Sequence, residues 1–185
     1  MIRCDKDLAF MLQYENVAWY EDGKVRILDR RVYPTEEKFV VCNTYKEVAQ
    51  AITDMVTQSA GPYTAAGMGM ALAAYEVKGR GKKEQLDFLT QASYDISHAR
   101  PTTANRMGII TDGCLNAAIN ALEEGTDPVE AVFQRTVDSL NRRYSTMEKV
   151  GEYLADLFPN NGTIMTQCFG ETIIGMMLRA ARKQQ

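Results

Sequence analysis

Between Asn16 and Asn43 the apolar positions come in short runs of strand length. Val17-Ala18-Trp19-Tyr20, the turn signal Glu21-Asp22-Gly23, and Val25-Arg26-Ile27-Leu28 with its partial alternation predict an opening β-hairpin. A third run, Phe39-Val40-Val41-Cys42, follows Pro34 and predicts one more strand. At Asn43-Thr44 the period changes. Thr44 and Glu47 have capping-box spacing, and Val48, Ile52, Met55 and Val56 then repeat with helical period to about Gln58.

Helix dominates from there on. Ser59-Ala60-Gly61-Pro62 interrupts the pattern, and Pro62 is placed to open a small-residue helix through Gly67-Met68-Gly69-Met70 and Ala71-Leu72-Ala73-Ala74. Side chains this small permit close backbone approach. Gly79-Arg80-Gly81 separates it from a helix carrying Leu86, Phe88, Leu89, Ala92 and Ile96, which should end before Pro101. Thr102-Thr103 can cap the next helix, whose stripe is Met107, Ile110, Cys114, Ala118 and Leu122 and whose stop is Gly125. Asp127-Pro128-Val129-Glu130 supplies cap, first-turn proline and capping-box acid for another, with Ser145 and Glu148 as a restart. Beyond the turn Pro159-Asn160-Asn161-Gly162, Thr163-Ile164-Met165-Thr166 reads as a short buried strand, and Gly170-Glu171 leads into a helix bearing Ile173, Ile174, Met177 and Leu178.

The fold class expected is therefore α+β and mostly helical: a small amino-terminal sheet over 1–43, a helical bundle over 44–158, and over 159–185 the first strand-helix unit of an incomplete Rossmann-like domain. The composition of 185 residues, 45% hydrophobic and 24% charged, is that of a folding globular chain. With 24 acidic and 21 basic side chains the net charge is -3, which gives no basic field for nucleic acid. Short, charge-interrupted apolar runs and a start lacking a signal peptide's long apolar stretch point to no membrane and a cytoplasmic location. Cys4, Cys42, Cys114 and Cys168 are scattered, so reduced thiols and no structural metal are expected.

Chemistry has few candidates. Cys168 falls at the carboxyl end of the last predicted strand and just ahead of a helix, where amide N–H groups and the helix dipole lower a thiol pKa; an inert buried cysteine occupies the same kind of position. Arg100, in Ala99-Arg100-Pro101-Thr102-Thr103, holds a guanidinium before a helix start, which suits an oxyanion; a surface loop arginine would look the same. His98 is the single histidine and reads as structural or surface. Gly67-Met68-Gly69 is no dinucleotide loop, since no strand precedes it and the third glycine is absent.

Taken together, these segments resemble the methylthioribose-1-phosphate isomerases and their relatives, the ribose-1,5-bisphosphate isomerases and the regulatory subunits of initiation factor 2B. The resemblance is carried by Asp22-Gly23-Lys24-Val25, Leu28-Asp29-Arg30-Arg31, Thr44-Tyr45-Lys46-Glu47-Val48-Ala49, Ala99-Arg100-Pro101-Thr102 with Asn105, and Gly162-Thr163-Ile164-Met165-Thr166-Gln167-Cys168. It covers the amino-terminal half of that family and implies a cofactor-independent aldose-ketose isomerase of a sugar 1-phosphate, placed in methionine salvage. In it Cys168 would be the acid/base between C1 and C2, and Arg100 would bind phosphate. Ser59, Ala60, Gly61 and Gln167 would border the substrate, with no metal.

The sequence also departs from that pattern. Thr57-Gln58-Ser59-Ala60-Gly61-Pro62 has no arginine where the family has Arg-Gly-Ala-Pro, Gln167 replaces a histidine, and Phe169-Gly170-Glu171 replaces Asn-Ala-Gly. The family's second-domain aspartate has no counterpart here. The resemblance thus implies a split enzyme whose partner chain carries the carboxyl-terminal half, or a fragment of one. Its alternative is a non-catalytic assembly module akin to the initiation factor 2B subunits, forming a homo-oligomer.

Overall fold

The computed structural model describes residues 3–159, 161–166 and 170–184, and divides them into two compact units: Glu15–Asp138, and the chain up to Tyr14 together with the chain from Ser139. The first unit opens with a short helix α1 (Tyr14–Val17) and a three-stranded antiparallel sheet, β1 (Ala18–Glu21), β2 (Lys24–Leu28) and β3 (Phe39–Cys42), in the order β1-β2-β3. Asp22 and Gly23 have φ of 48° and 73°, so both central residues of the hairpin are left-handed, as a type I′ turn requires. A Cβ on Gly23 would also lie 2.4 Å from the Tyr75 ring. Glycine is needed there twice over. The register pairs Ala18 with Ile27 and Val25 with Cys42, and all four are buried.

Helix α2 (Tyr45–Thr53) begins as the capping signal foretold, with the Thr44 hydroxyl accepting from Glu47 N–H at 3.2 Å. It ends earlier than its apolar period suggested. Asp54 caps it, and Met55 takes φ 60° and is exposed. Helix α3 (Gly61–Glu76) is apolar all round and lies against β1, β2, α2, α4 (Lys82–Ser97) and α5 (Ala104–Glu124), as the core helix of this unit. Its glycines set the packing. A Cβ on Gly69 would stand 2.9 Å from Val48, and one on Gly67 would stand 2.6 Å from Thr136.

On α5 the buried stripe is Met107, Thr111, Cys114, Ala118 and Ala121, turned slightly from the expected one: Thr111 and Ala121 lie inside, while Ile110 and Leu122 are half-buried. Gly125 at φ 71° ends it as anticipated. The Thr103 side chain does not cap α5; a short 3-10 turn, Pro101–Thr103, leads in instead. Asp127 does cap α6 (Pro128–Ala155), accepting from Val129 N–H at 2.9 Å, and no break occurs at Ser145 because the helix runs through.

In the second unit the chain ends meet. Asp5, 2% exposed, accepts from Tyr14 N–H at 2.8 Å and from Arg3, and the Tyr144 hydroxyl donates to the Leu12 carbonyl at 2.8 Å. On α7 (Glu171–Gln184), Arg179 donates to the Cys4 carbonyl at 3.0 Å and pairs with Glu148 at 3.1 Å. Gly175 makes room for Leu12, since a Cβ there would fall 2.5 Å from the leucine methyl. The expected strand Thr163–Thr166 is a correction: among the described residues it forms no ladder, and Ile164 and Met165 are 45% and 94% exposed. A parallel strand has no hydrogen bonds of its own and takes shape only beside a neighbouring strand.

Candidate functional site

Two loops of the first unit run side by side. One joins α2 to α3, contains Ser59 and Ala60 and runs into Gly61 at the start of α3; the other joins α4 to α5 and contains Arg100. They are tied at one end by the Thr53 hydroxyl, which donates to the Ala99 carbonyl at 2.9 Å. At the other end the Arg106 guanidinium lies over the Tyr63 ring at 5.2 Å from its centroid. Ser59 (φ 55°) is exposed and Ala60 half-buried, whereas Gly61 is buried against Thr57, whose hydroxyl would stand 2.0 Å from an added Cβ. Gly61 is therefore a packing residue.

The electrostatics of these two helix starts differ from the others. The first turns of α2, α4 and α6 carry Glu47, Glu84 and Glu130, the acids that complement a helix dipole. Those of α3 and α5 carry no acid, and neither helix has a side-chain cap. Arg100 is half-buried, extended at φ -136°, and held extended by Pro101. No carboxylate pairs with it or with Arg106 among the described residues, unlike Arg31 with Asp29 or Arg80 with Glu84. Arg100 and Arg106 are the arginines at these loops, and Asp54 is the acid of the α2–α3 loop.

Cys168 and Gln167 lie outside the described residues. The other thiols are unsuited to acid/base work, because burial pushes Cys42 and Cys114 up to about 11 and raises Cys4. His98 stacks on Tyr94 with ring centroids 4.0 Å apart, and its Nδ1 is 2.8 Å from the Tyr94 carbonyl oxygen. Arg106 was not among the sequence candidates. Its signal was an arginine in the first turn of a helix, where an acid is favoured. Among the described residues no cluster of His, Cys, Asp or Glu could hold a metal ion, and no helix is long and apolar enough to cross a membrane.

Fold and loops together define a class: an α+β, mostly helical chain with the architecture of the amino-terminal part of the initiation factor 2B and methylthioribose-1-phosphate isomerase structures. The crystal structure of 5-methylthioribose 1-phosphate isomerase from Pyrococcus horikoshii matches 91% of this chain and 49% of its own, with a TM-score of 0.70 and 25% identity. That of translation initiation factor eIF-2B, subunit delta, from A. fulgidus matches 91% of this chain and 51% of its own, also at TM-score 0.70, with 23% identity, and speaks for the fold alone.

The particular relatives by sequence are methylthioribose-1-phosphate isomerases. The enzyme of Pelotomaculum thermopropionicum is 25% identical over 162 residues, covering 83% of this chain and 43% of its own length. That of Koribacter versatilis is 28% identical over 160 residues, covering 83% and 44%. The chain thus spans less than half the length of these curated relatives. No protein-family model matches it.

Proposed function

We propose that this chain supplies the amino-terminal, phosphate-facing half of an isomerase that converts an aldose 1-phosphate of the methylthioribose 1-phosphate kind to the ketose 1-phosphate without a cofactor. The observation that carries the reading is the unpaired Arg100 between two acid-free helix starts, in a fold that a methylthioribose 1-phosphate isomerase matches over 91% of the chain. In this reading the two loops take the substrate phosphate, with Arg100 as the planar, charge-assisted donor and Ser59 and Ala60 at the rim. Cys168 shuttles a proton between C2 and C1 of the opened sugar through an enediol, and Gln167 orients the neighbouring hydroxyls.

The carboxyl-terminal half, with the family's aspartate, comes from further polypeptide, and the 159–185 segment becomes the first strand-helix unit of the sheet so completed. The exposure of Ile164 and Met165 supports this, since a partner sheet would cover them. The segments 1–43 and 44–158 are then the sheet and helical parts of the amino-terminal half, working in the cytoplasm. A second reading, a non-catalytic assembly module, is favoured by the missing arginine in Thr57–Pro62 and by Phe169-Gly170-Glu171 after the cysteine. The test is Cys168→Ser in the assembly reconstituted with its carboxyl-terminal half: sugar-phosphate isomerase activity should fall at least about a hundredfold, the usual worth of a positioned acid/base. Full activity in that variant would remove Cys168 from the mechanism.

A further inference from the structure

The segment 3–13 has one short element of its own, the 3-10 turn Phe10–Leu12, so its order depends on what it touches. Leu8 and Leu12 are buried. Leu12 lies over Gly175 of α7, where an added Cβ would fall 2.5 Å from its Cδ1 and 3.8 Å from the Cδ2 of Leu8. Three carbonyls of the segment accept from side chains: those of Cys4 and Lys6 from Arg179 Nη2 of α7, the first at 3.0 Å, and that of Leu12 from the Tyr144 hydroxyl of α6 at 2.8 Å. Helix α7 is equally dependent. Its 14 residues would be marginal as an isolated helix in water. Met176, Met177 and Ala180 are buried, and Gly151 of α6 admits the α7 backbone, since an added Cβ there would stand 2.8 Å from the Met176 carbonyl carbon. Arg179 ties the parts together: Nη1 pairs with Glu148 of α6 at 3.1 Å while Nη2 serves the two carbonyls.

We propose that the segment 3–13 is a clasp that seats α7: the two close on α6 together and open together, as one cooperative unit with an opening equilibrium of its own. The coupling is physical. Lifting the segment takes two acceptors from a guanidinium whose side chain is 16% exposed and removes Leu12 from its place on Gly175; lifting α7 leaves the Cys4 and Lys6 carbonyls without their donor. Neither half keeps its contacts when the other leaves. Because α7 begins at Glu171, just past Cys168 in the sequence, the clasp gives the segment 3–13 control over the helix that follows the cysteine. It holds whether or not Arg100 binds phosphate.

The test is amide hydrogen exchange of the 185-residue chain, read by mass spectrometry on its peptides. Hydrogen-bonded amides of 3–13 and of α7 should show one common protection, lower than that of the core helix α3. Arg179→Met keeps an apolar stem but no donor, and should speed exchange in both segments together by roughly ten- to hundredfold, the worth of charge-assisted hydrogen bonds, while α3 is unchanged. Gly175→Ala is the sharper variant because two effects oppose. Helix propensity alone would slow exchange in α7, whereas a methyl that displaces Leu12 should speed it in α7 and in 3–13 alike. Slower exchange of α7 in Gly175→Ala, or deprotection of only one of the two segments in Arg179→Met, would overturn the clasp. Should Arg179→Met fail to fold, Gly175→Ala decides alone.

Discussion

Gly67→Ala separates the packing argument from ordinary helix propensity, because the two have opposite signs. In an open helix interior the exchange stabilises by about 1 kcal/mol. At Gly67 the new methyl would stand 2.6 Å from both Cγ2 and Oγ1 of Thr136 and 3.1 Å from its Cβ, about 1 Å inside a normal carbon contact. Thr136 is buried, its hydroxyl donates to the Val132 carbonyl at 2.9 Å, and it lies 3.8 Å from Cys114 Sγ.

Rotating Thr136 away gives up that hydrogen bond, about 0.5–1.5 kcal/mol, and leaving it in place overpacks the core by about 1–3 kcal/mol. Set against the propensity gain of about 1 kcal/mol, the exchange should fall between neutral and a loss of about 2 kcal/mol, with none of the stabilisation of an open site, measured by urea denaturation. In a Thr136→Ala background, with the two closest atoms removed, the same exchange should be close to neutral, a coupling that a double-mutant cycle reads directly. Gly108, also inside a helix but with nothing within 4 Å of an added Cβ, is the control: Gly108→Ala should stabilise by about 0.5–1 kcal/mol. If Gly67→Ala stabilised as much as Gly108→Ala, the close contact between α3 and α6 would be refuted.

Tyr144→Phe should destabilise the unit of the chain ends by about 1–3 kcal/mol, since it leaves the buried Leu12 carbonyl without its donor; a melting temperature equal to the parent's would show that water replaces it. Asp5 is subject to burial, which raises its pKa, but hydrogen bonds from Arg3 and Tyr14 N–H outweigh this and hold it below the usual carboxylate range. Its stabilisation is accordingly present above the unfolded value near about 4 and is lost as pH falls through the lower folded value. Asp5→Ala should therefore cost about 1–3 kcal/mol at pH 7 and progressively less as pH falls below the unfolded value, and a cost that does not fall with pH would contradict the pairing.

The regular elements were legible where period and punctuation agreed. The Asp22-Gly23 hairpin, the Thr44 cap, the Gly125 stop and the Asp127-Pro128 start all rest on local chemistry that a sequence displays. The end of α2 was missed because Met55 and Val56 continue the apolar period while the chain has already turned at Met55. Thr163–Ile164–Met165–Thr166 has strand composition, yet a strand depends on neighbours that no local pattern supplies. In the site, Arg100 could be found from its place before Pro101, whereas Arg106 acquires its meaning only from Tyr63, forty-three residues away along the chain and adjacent only after folding.

The central claim, that this chain is the phosphate-facing half of a sugar-phosphate isomerase, is tested most directly by recovering it from its native cells and assaying what it is bound to. The account expects a stoichiometric complex with a Rossmann-like polypeptide carrying an aspartate, active in converting an aldose 1-phosphate to the ketose 1-phosphate. Recovery of the chain alone as a stable homo-oligomer, inactive on every aldose 1-phosphate offered, would contradict it and leave the assembly module.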